Sequence, residues 1–153
     1  MSGWSELPRM LLDLAVAFVL AIPVGWDRER QDVGPGLRTY PLLAMGACAY
    51  LEIGRFAFHD HLEGQARVFQ ALVSGIGFIG AGAIIKGRVE VHGLATAVSL
   101  WVTVSVGIAS AYHLYALAAV LSGTTLVALR LLKPLKRHHP EEADQGPRTK
   151  KPD

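Results

Sequence analysis

The sequence predicts an all-α, polytopic membrane protein with five transmembrane helices in a compact bundle. Three observations carry that expectation. Apolar residues make up 51% of the 153-residue chain and charged residues only 18%, against about 25% charged in soluble domains. The mean hydropathy is +0.32. A soluble domain of this size buries only about 70% of its extended-chain surface, too little to hide so apolar a chain, so lipid is expected to serve as part of its solvent. The charges also gather in short patches and in the stretch from Lys133 onward, leaving five apolar runs between them.

A membrane helix needs about 20 mostly apolar residues. The first run is Met10–Trp26. The second, Thr39–Phe58, is interrupted near its end by Arg55, and the third, Val68–Ile85, is softened by Gln70. The fourth is Gly93–Ala111 and the fifth Leu114–Leu132. Only Tyr112 and His113 separate these two, which makes them a tight antiparallel hairpin. No connection is long enough for an extramembrane domain. The triplet Ala15–Ala17 resembles a cleavage site but lies inside the first apolar run, not after it, so a retained helix is expected and not a signal peptide. Residues 1–132 therefore read as the membrane domain. Residues 133–153, rich in Pro, Lys and Glu, read as a disordered cytoplasmic tail whose basic start anchors the topology or touches anionic headgroups. The single cysteine, Cys48, excludes an intrachain disulfide and a cysteine-cluster metal site.

Five spans divide the 15 basic residues unequally. Arg9, Arg55 and Arg67 fall on the N-terminal side. Arg28, Arg30, Arg38, Lys86, Arg88, Arg130 and six lysines and arginines beyond it fall on the other. Cytoplasmic loops carry the excess of Lys and Arg, so the N-terminus is expected outside and the C-terminus in the cytoplasm. Trp26 and Tyr40 then lie at the inner interface, and Trp4, Phe56, Phe58 and Tyr112 near the outer one.

Small and hydroxyl residues recur at helical spacing in several runs. Thr96, Ser99, Thr103, Gly107 and Ser110 form one stripe; Gln70, Ser74, Gly77 and Ala81 form another; Ala118, Ser122 and Thr125 form a third. Such stripes are packing seams or hydroxyl-lined pathways, and interhelical hydrogen bonds alone justify a seam. Gly75, Gly77, Gly80 and Gly82 crowd the third run. They match a dinucleotide-binding pattern literally, but that pattern needs a preceding strand and a following soluble helix. Here they point to the tightest-packed helix or to a helix break. Two carboxylates, Asp13 and Glu52, fall inside spans at similar depth. Charges at membrane depth mark a pathway or a partner, and Arg55 is placed to pair with Glu52. Cys48 reads as packing. At the inner ends Asp27, Arg28, Glu29, Arg30, Asp32, Arg38, Lys86, Arg88 and Glu90 suit a salt-bridged clamp better than a hard-cation site. Arg38 is expected to face Asp27, Glu29 and Asp32. His59-Asp60-His61 offers a weak metal pattern. No nucleophile with a paired base and no phosphate loop occurs, so neither enzymatic chemistry nor a cofactor is expected.

Together, Gly25-Trp26-Asp27-Arg28-Glu29-Arg30, Gly36-Leu37-Arg38-Thr39, Leu42–Ala47, Gly75–Ile85 and Gly93–Trp101 resemble the N-terminal membrane domain of the MgtC/SapB family over about Leu11 to Leu132. Asp27 stands where the family often has Glu. Full-length members carry a cytoplasmic C-terminal α/β domain, whereas this sequence reads as a short form with a polar tail. The resemblance implies a bacterial inner-membrane protein linked to magnesium limitation and, in some pathogens, to virulence. It implies regulatory work, including restraint of the membrane ATP synthase, although the family was named for magnesium transport. Its motifs add Thr39 and Trp101 to the candidate residues.

The expected function is non-enzymatic modulation of a membrane protein partner or of a homo-oligomer, without nucleic acid. The rivals are a carrier or channel for magnesium or another cation through Asp13, Glu52 and the hydroxyl stripe, and a structural subunit of a larger complex. The charge split predicts that a C-terminal reporter reads cytoplasmic and an N-terminal one external; finding both on one side would remove a span, the second or third first.

Overall fold

The computed structural model describes residues 5–31, 34–58, 60–86 and 91–131, with residues 85, 86, 91 and 92 described by backbone alone. Five helices follow in order: α1 (Leu7–Arg30), α2 (Thr39–Ala57), α3 (Leu62–Gly82), α4 (Leu94–Ala111) and α5 (Tyr115–Leu131). Each coincides with one apolar run. The helices overrun those limits where the local chemistry allows it. Pro8 sits in the first turn of α1, where its missing N–H removes no helical bond, and Asp27–Arg30 continue the helix beyond the apolar stretch. α3 starts six residues before Val68 and stops at Gly82. The expected end of that run instead enters a short antiparallel pair, β1 (Ile85–Lys86) with β2 (Val91–His92), Ile85 opposite His92 and Lys86 opposite Val91. This ladder is the one departure from an all-helical chain among the described residues.

α1 and α4 are each long and apolar enough to cross a membrane, and α5 is a slightly shorter apolar helix. α2 and α3 dilute their hydropathy with Glu52 and Arg55 and with Gln65, Arg67 and Gln70. By length and composition, two of the five expected spans, α1 and α4, are thus candidate membrane helices.

α4 occupies the middle and touches each of the other helices. Its stripe is a packing seam, as the spacing suggested: Thr96, Ser99, Thr103, Gly107 and Ser110 are all buried. Gly107 decides how closely α2 and α4 approach. A Cβ built there would lie 2.1 Å from the Ala44 carbonyl oxygen and 3.0 Å from the Ala47 Cβ, so no other residue fits without moving a backbone. The hydroxyls along the seam turn back on their own helix. Ser99 donates to Thr96 O at 2.8 Å, Thr103 to Ser99 O at 2.8 Å and Ser110 to Val106 O at 2.9 Å. With the Ser99 O–H so engaged, Tyr40 donates its own to Ser99 Oγ at 2.6 Å, tying α2 to α4. Around this seam lie Ala17, Ala21, Val24, Ala44, Cys48, Leu51, Leu100 and Ala111; Cys48 is a core packing residue. On α5, Ala118 and Ser122 are buried, and Ser122 donates to Leu20 O of α1. Gly93 begins α4 with φ +88, and a Cβ there would strike the Ala83 carbonyl.

α3 reverses the expectation placed on it. Its glycines are not the tightest contact in the chain, and they do not break the helix, which runs unbroken through them. A Cβ added to Gly75, Gly77 or Gly82 would meet nothing within 4 Å, and one on Gly80 would reach only Ala97, at 3.9 Å. Gln70, Ser74 and Ala81 are exposed as well, and Ile76 is the one buried residue of the helix. α3 packs at the edge, on α2 and α4, and turns its glycine face outward beside Phe78, 87% exposed. The sequence pattern reports small residues but not which side of the helix the bundle covers.

Overpacking a close contact costs about 1–3 kcal/mol. Gly107→Leu is therefore expected to cut the yield of monodisperse folded protein in detergent, while Gly77→Leu leaves it near wild type; size-exclusion profiles of the two variants check the order.

Candidate functional site

The up-and-down order of the helices gathers polar groups at the two ends of the bundle. At one end lie the start of α1, the end of α2, the end of α4 and the start of α5. Asp13, Ala17 and Ala21 share one face of α1 through their four-residue spacing, and all three are buried. The Asp13 side chain is 1% exposed. Its Oδ1 accepts the Tyr115 O–H at 2.6 Å and lies 3.1 Å from His113 Nδ1. Its Oδ2 is buried without a hydrogen-bond partner among the described residues. Glu52, also buried, pairs with Arg55 at 3.2 Å as the spacing suggested. Arg55 further donates to Ala111 O at 2.7 Å, placing a cation on the carbonyl end of α4. Both carboxylates thus reach one end of the bundle, each with its own partners.

His113 reaches Asp13 through the turn between α4 and α5. Its N–H bonds Ser110 O at 2.9 Å and the Leu114 N–H bonds Ala109 O at 2.8 Å, the pair of bonds of a Schellman motif. The motif needs a left-handed residue, ordinarily glycine, and His113 fills it at φ +60.

At the opposite end Asp27 joins α1 to α5. It accepts from Arg130 Nε at 2.9 Å, from Gln31 Nε2 and, at 3.5 Å, from Arg28. Arg28 is buried, 5% exposed, also reaches Gln31 at 3.3 Å, and keeps its Nε unpaired among the described residues. Glu29 Oε2 accepts the Leu37 N–H at 2.9 Å, which draws the 34–38 segment against the end of α1. Among the described residues the mixed-charge clamp is present, with Arg28 and Arg130 as the cations on Asp27, while Asp32, the third expected partner of Arg38, lies outside them. Arg38 is exposed and pairs with neither Asp27 nor Glu29. Glu29 already holds a backbone amide, and the arginines that reach Asp27 come from α1 and α5. Asp32, Arg88, Glu90 and the Lys86 side chain lie outside the described residues, as does His59 of the His59-Asp60-His61 pattern. Among the described residues no group of three metal-ligating side chains converges.

Of the remaining candidates, Thr39 is exposed at the start of α2. Thr96 and Ser99 lie in the buried seam. Trp101 is half exposed and lines an apolar groove with Phe69, Ile76, Val104 and Leu121. Sequence reasoning did not single out His113, Tyr115, Tyr40 or Arg130. The clue for the first two was available, since the charge-based topology sets Asp13 and the Tyr112-His113 turn on the same side.

Residues 14–138 match the sequence model of the MgtC family. The chain belongs to the MgtC family. It is 38% identical to the Synechocystis protein slr0014 over 86% of this chain and 54% of that protein. It is 36% identical to the Brucella abortus protein MgtC over 86% and 55%, respectively. It is 30% identical to the Escherichia coli K12 protein named "Putative magnesium transporter YhiD" over 83% and 62%. The chain thus spans little more than half the length of these curated relatives. No solved structure matches it. The family match covers the blocks from Gly25 to Trp101 that first suggested it.

Breaking a buried pair by removing one partner costs about 3–5 kcal/mol, because it strands the other charge. An exposed partner is worth about 0–1 kcal/mol. Asp27→Ala, which strands buried Arg28, is expected to destabilise by the larger amount, and Arg130→Ala or Arg38→Ala by the smaller. Thermal melts of the purified variants rank them.

Proposed function

We propose that this MgtC family member is a multi-pass protein of the bacterial inner membrane, with its N-terminus outside and its C-terminus in the cytoplasm. It works without enzymatic chemistry, as a modulator of another membrane protein during adaptation to low magnesium. The supporting observation is how the intramembrane polar groups are occupied. Asp13 and Glu52 are held by Tyr115, His113 and Arg55 at one end of the bundle. The seam hydroxyls bond to their own helix, and no acidic residue lies midway along any helix to relay a cation. Magnesium sheds water reluctantly and needs several oxygen ligands, and among the described residues no three metal-ligating side chains come together. The membrane ATP synthase is the partner that the family resemblance implies.

The second reading, a cation transporter, draws on the name of the Escherichia coli relative. Liposome flux separates the two. Wild-type protein is expected to move no magnesium, and Asp13→Asn and Glu52→Gln to insert normally. Uptake that depends on either carboxylate would replace the modulator with a transporter.

A further inference from the structure

α3 turns one face away from its own bundle, and that face carries an ordered pattern. Glu63, Arg67, Gln70, Ser74, Gly77 and Ala81 succeed one another at spacings that alternate between four and three residues, and all of them are exposed. This is the heptad spacing that winds two helices around each other with a left-handed twist. At 1.5 Å per residue the stripe runs for about 27 Å, close to the thickness of the bilayer core. On the opposite side of the helix, Leu72 and Ile76 hold α3 to α2 and α4. We propose that the outward face of α3 binds the same face of a second copy of this chain, in a parallel pair about a two-fold axis.

The chemistry of the face is wrong for lipid. This step rests on the membrane reading of α3 and not on the modulator reading. Gln70 lies two turns inside the helix, and its amide makes no hydrogen bond among the described residues. Arg67, nearer the helix end, can extend its long side chain toward the headgroups, but Gln70 is shorter and deeper. Turned to hydrocarbon, its amide would leave its donors and its acceptor unmet, and each unmet polar group there costs several kcal/mol in general. A partner inside the membrane removes that cost.

The same residues select a second copy over a foreign helix, because the face is complementary to itself. An amide carries both a donor and an acceptor, so two Gln70 side chains satisfy each other across a two-fold axis. Glu63 and Arg67 stand one turn apart, and neither forms an ion pair among the described residues. Between parallel copies each Glu63 comes within reach of the Arg67 of the other, and the symmetry makes that charge pair twice. Below them Ser74, Gly77 and Ala81 allow the two backbones to approach. A Cβ on Gly77 meets nothing within 4 Å in its own chain, so the room there is open to a neighbour. Phe78, beside the stripe and 87% exposed, supplies apolar surface along its edge.

Cysteine cross-linking of the full chain in its native membrane tests the pair. Cys48 is buried and sets the background. On mild oxidation Ser74→Cys, Gly77→Cys and Ala81→Cys are expected to give disulfide-linked dimers, whereas Ile53→Cys on α2 and Val120→Cys on α5, both exposed, give none. Adding Gly77→Leu to the Ser74→Cys variant is expected to abolish the dimer at undiminished protein yield, since the new side chain meets no atom of its own chain. Adding Gln70→Leu is expected to slow cross-linking about threefold, the worth of one interhelical hydrogen bond. Even cross-linking at Ser74, Gly77 and Val120, or none at any of them, would overturn the proposal. So would an adduct of another mass, which would give the face to a different protein. Gly75→Cys, exposed but off the stripe, is treated with a charged maleimide on broken membranes. Protection there without cross-linking on the stripe would overturn the dimer alone, and rapid labelling would overturn the membrane reading of α3 and the dimer with it.

Discussion

The close contact between the backbones of α2 and α4 governs this fold. It exists because Gly107 places nothing between its own chain and the Ala44 carbonyl. Once those two helices meet at backbone distance, the neighbouring positions on both must be small or able to hydrogen bond. Ala44, Ala47, Ser99, Thr103 and Ser110 meet that demand. Between helices in lipid no hydrophobic force acts, and association depends on packing and hydrogen bonds. The seam supplies the packing, and the Tyr40–Ser99 bond adds one directed link. α1 and α5 then close around the central pair, fastened by Ser122 on the Leu20 carbonyl.

Charge is kept to the ends of the bundle and settled locally. Asp27 meets Arg28, Gln31 and Arg130; Glu29 holds a loop amide; Glu52 meets Arg55; Asp13 meets a histidine and a tyrosine. Each arrangement joins elements distant in sequence or restrains a chain end. Ionised groups in a low-dielectric interior stabilise little by themselves. Their work here is to fix which helix ends meet.

Much of this architecture was legible in the sequence. The five helices follow from runs of apolar residues, and the α4 seam from a spacing of three and four that survives folding intact. The i,i+3 pair of Glu52 and Arg55 needed only the geometry of a single helix. What stayed hidden depended on the relative rotation of helices. The α3 pattern is as rich in small residues as that of α4, yet one faces the core and the other faces out, and no local signal separates them. Arg38 misses Asp27 and Glu29 for a similar reason. Nearness in sequence to Asp27 and Glu29 suggested a partner, but the acceptors were already met by Arg28, Arg130 and the Leu37 amide. The partners of Asp13 lie 100 and 102 residues away and became neighbours only when the hairpin folded back.

The one-sided packing of α3 divides the molecule energetically. α1, α2, α4 and α5 form a mutually bonded unit, whereas α3 is held along one flank, with Ile76 its one buried side chain. Elements with few buried contacts open at the lowest free energy, ahead of global unfolding. α3 is therefore the helix expected to part first from the others, and its departure would uncover the α2–α4 edge where Ile76 packs on Ala47 and Val104. The bundle behaves as a four-helix frame carrying one detachable stave.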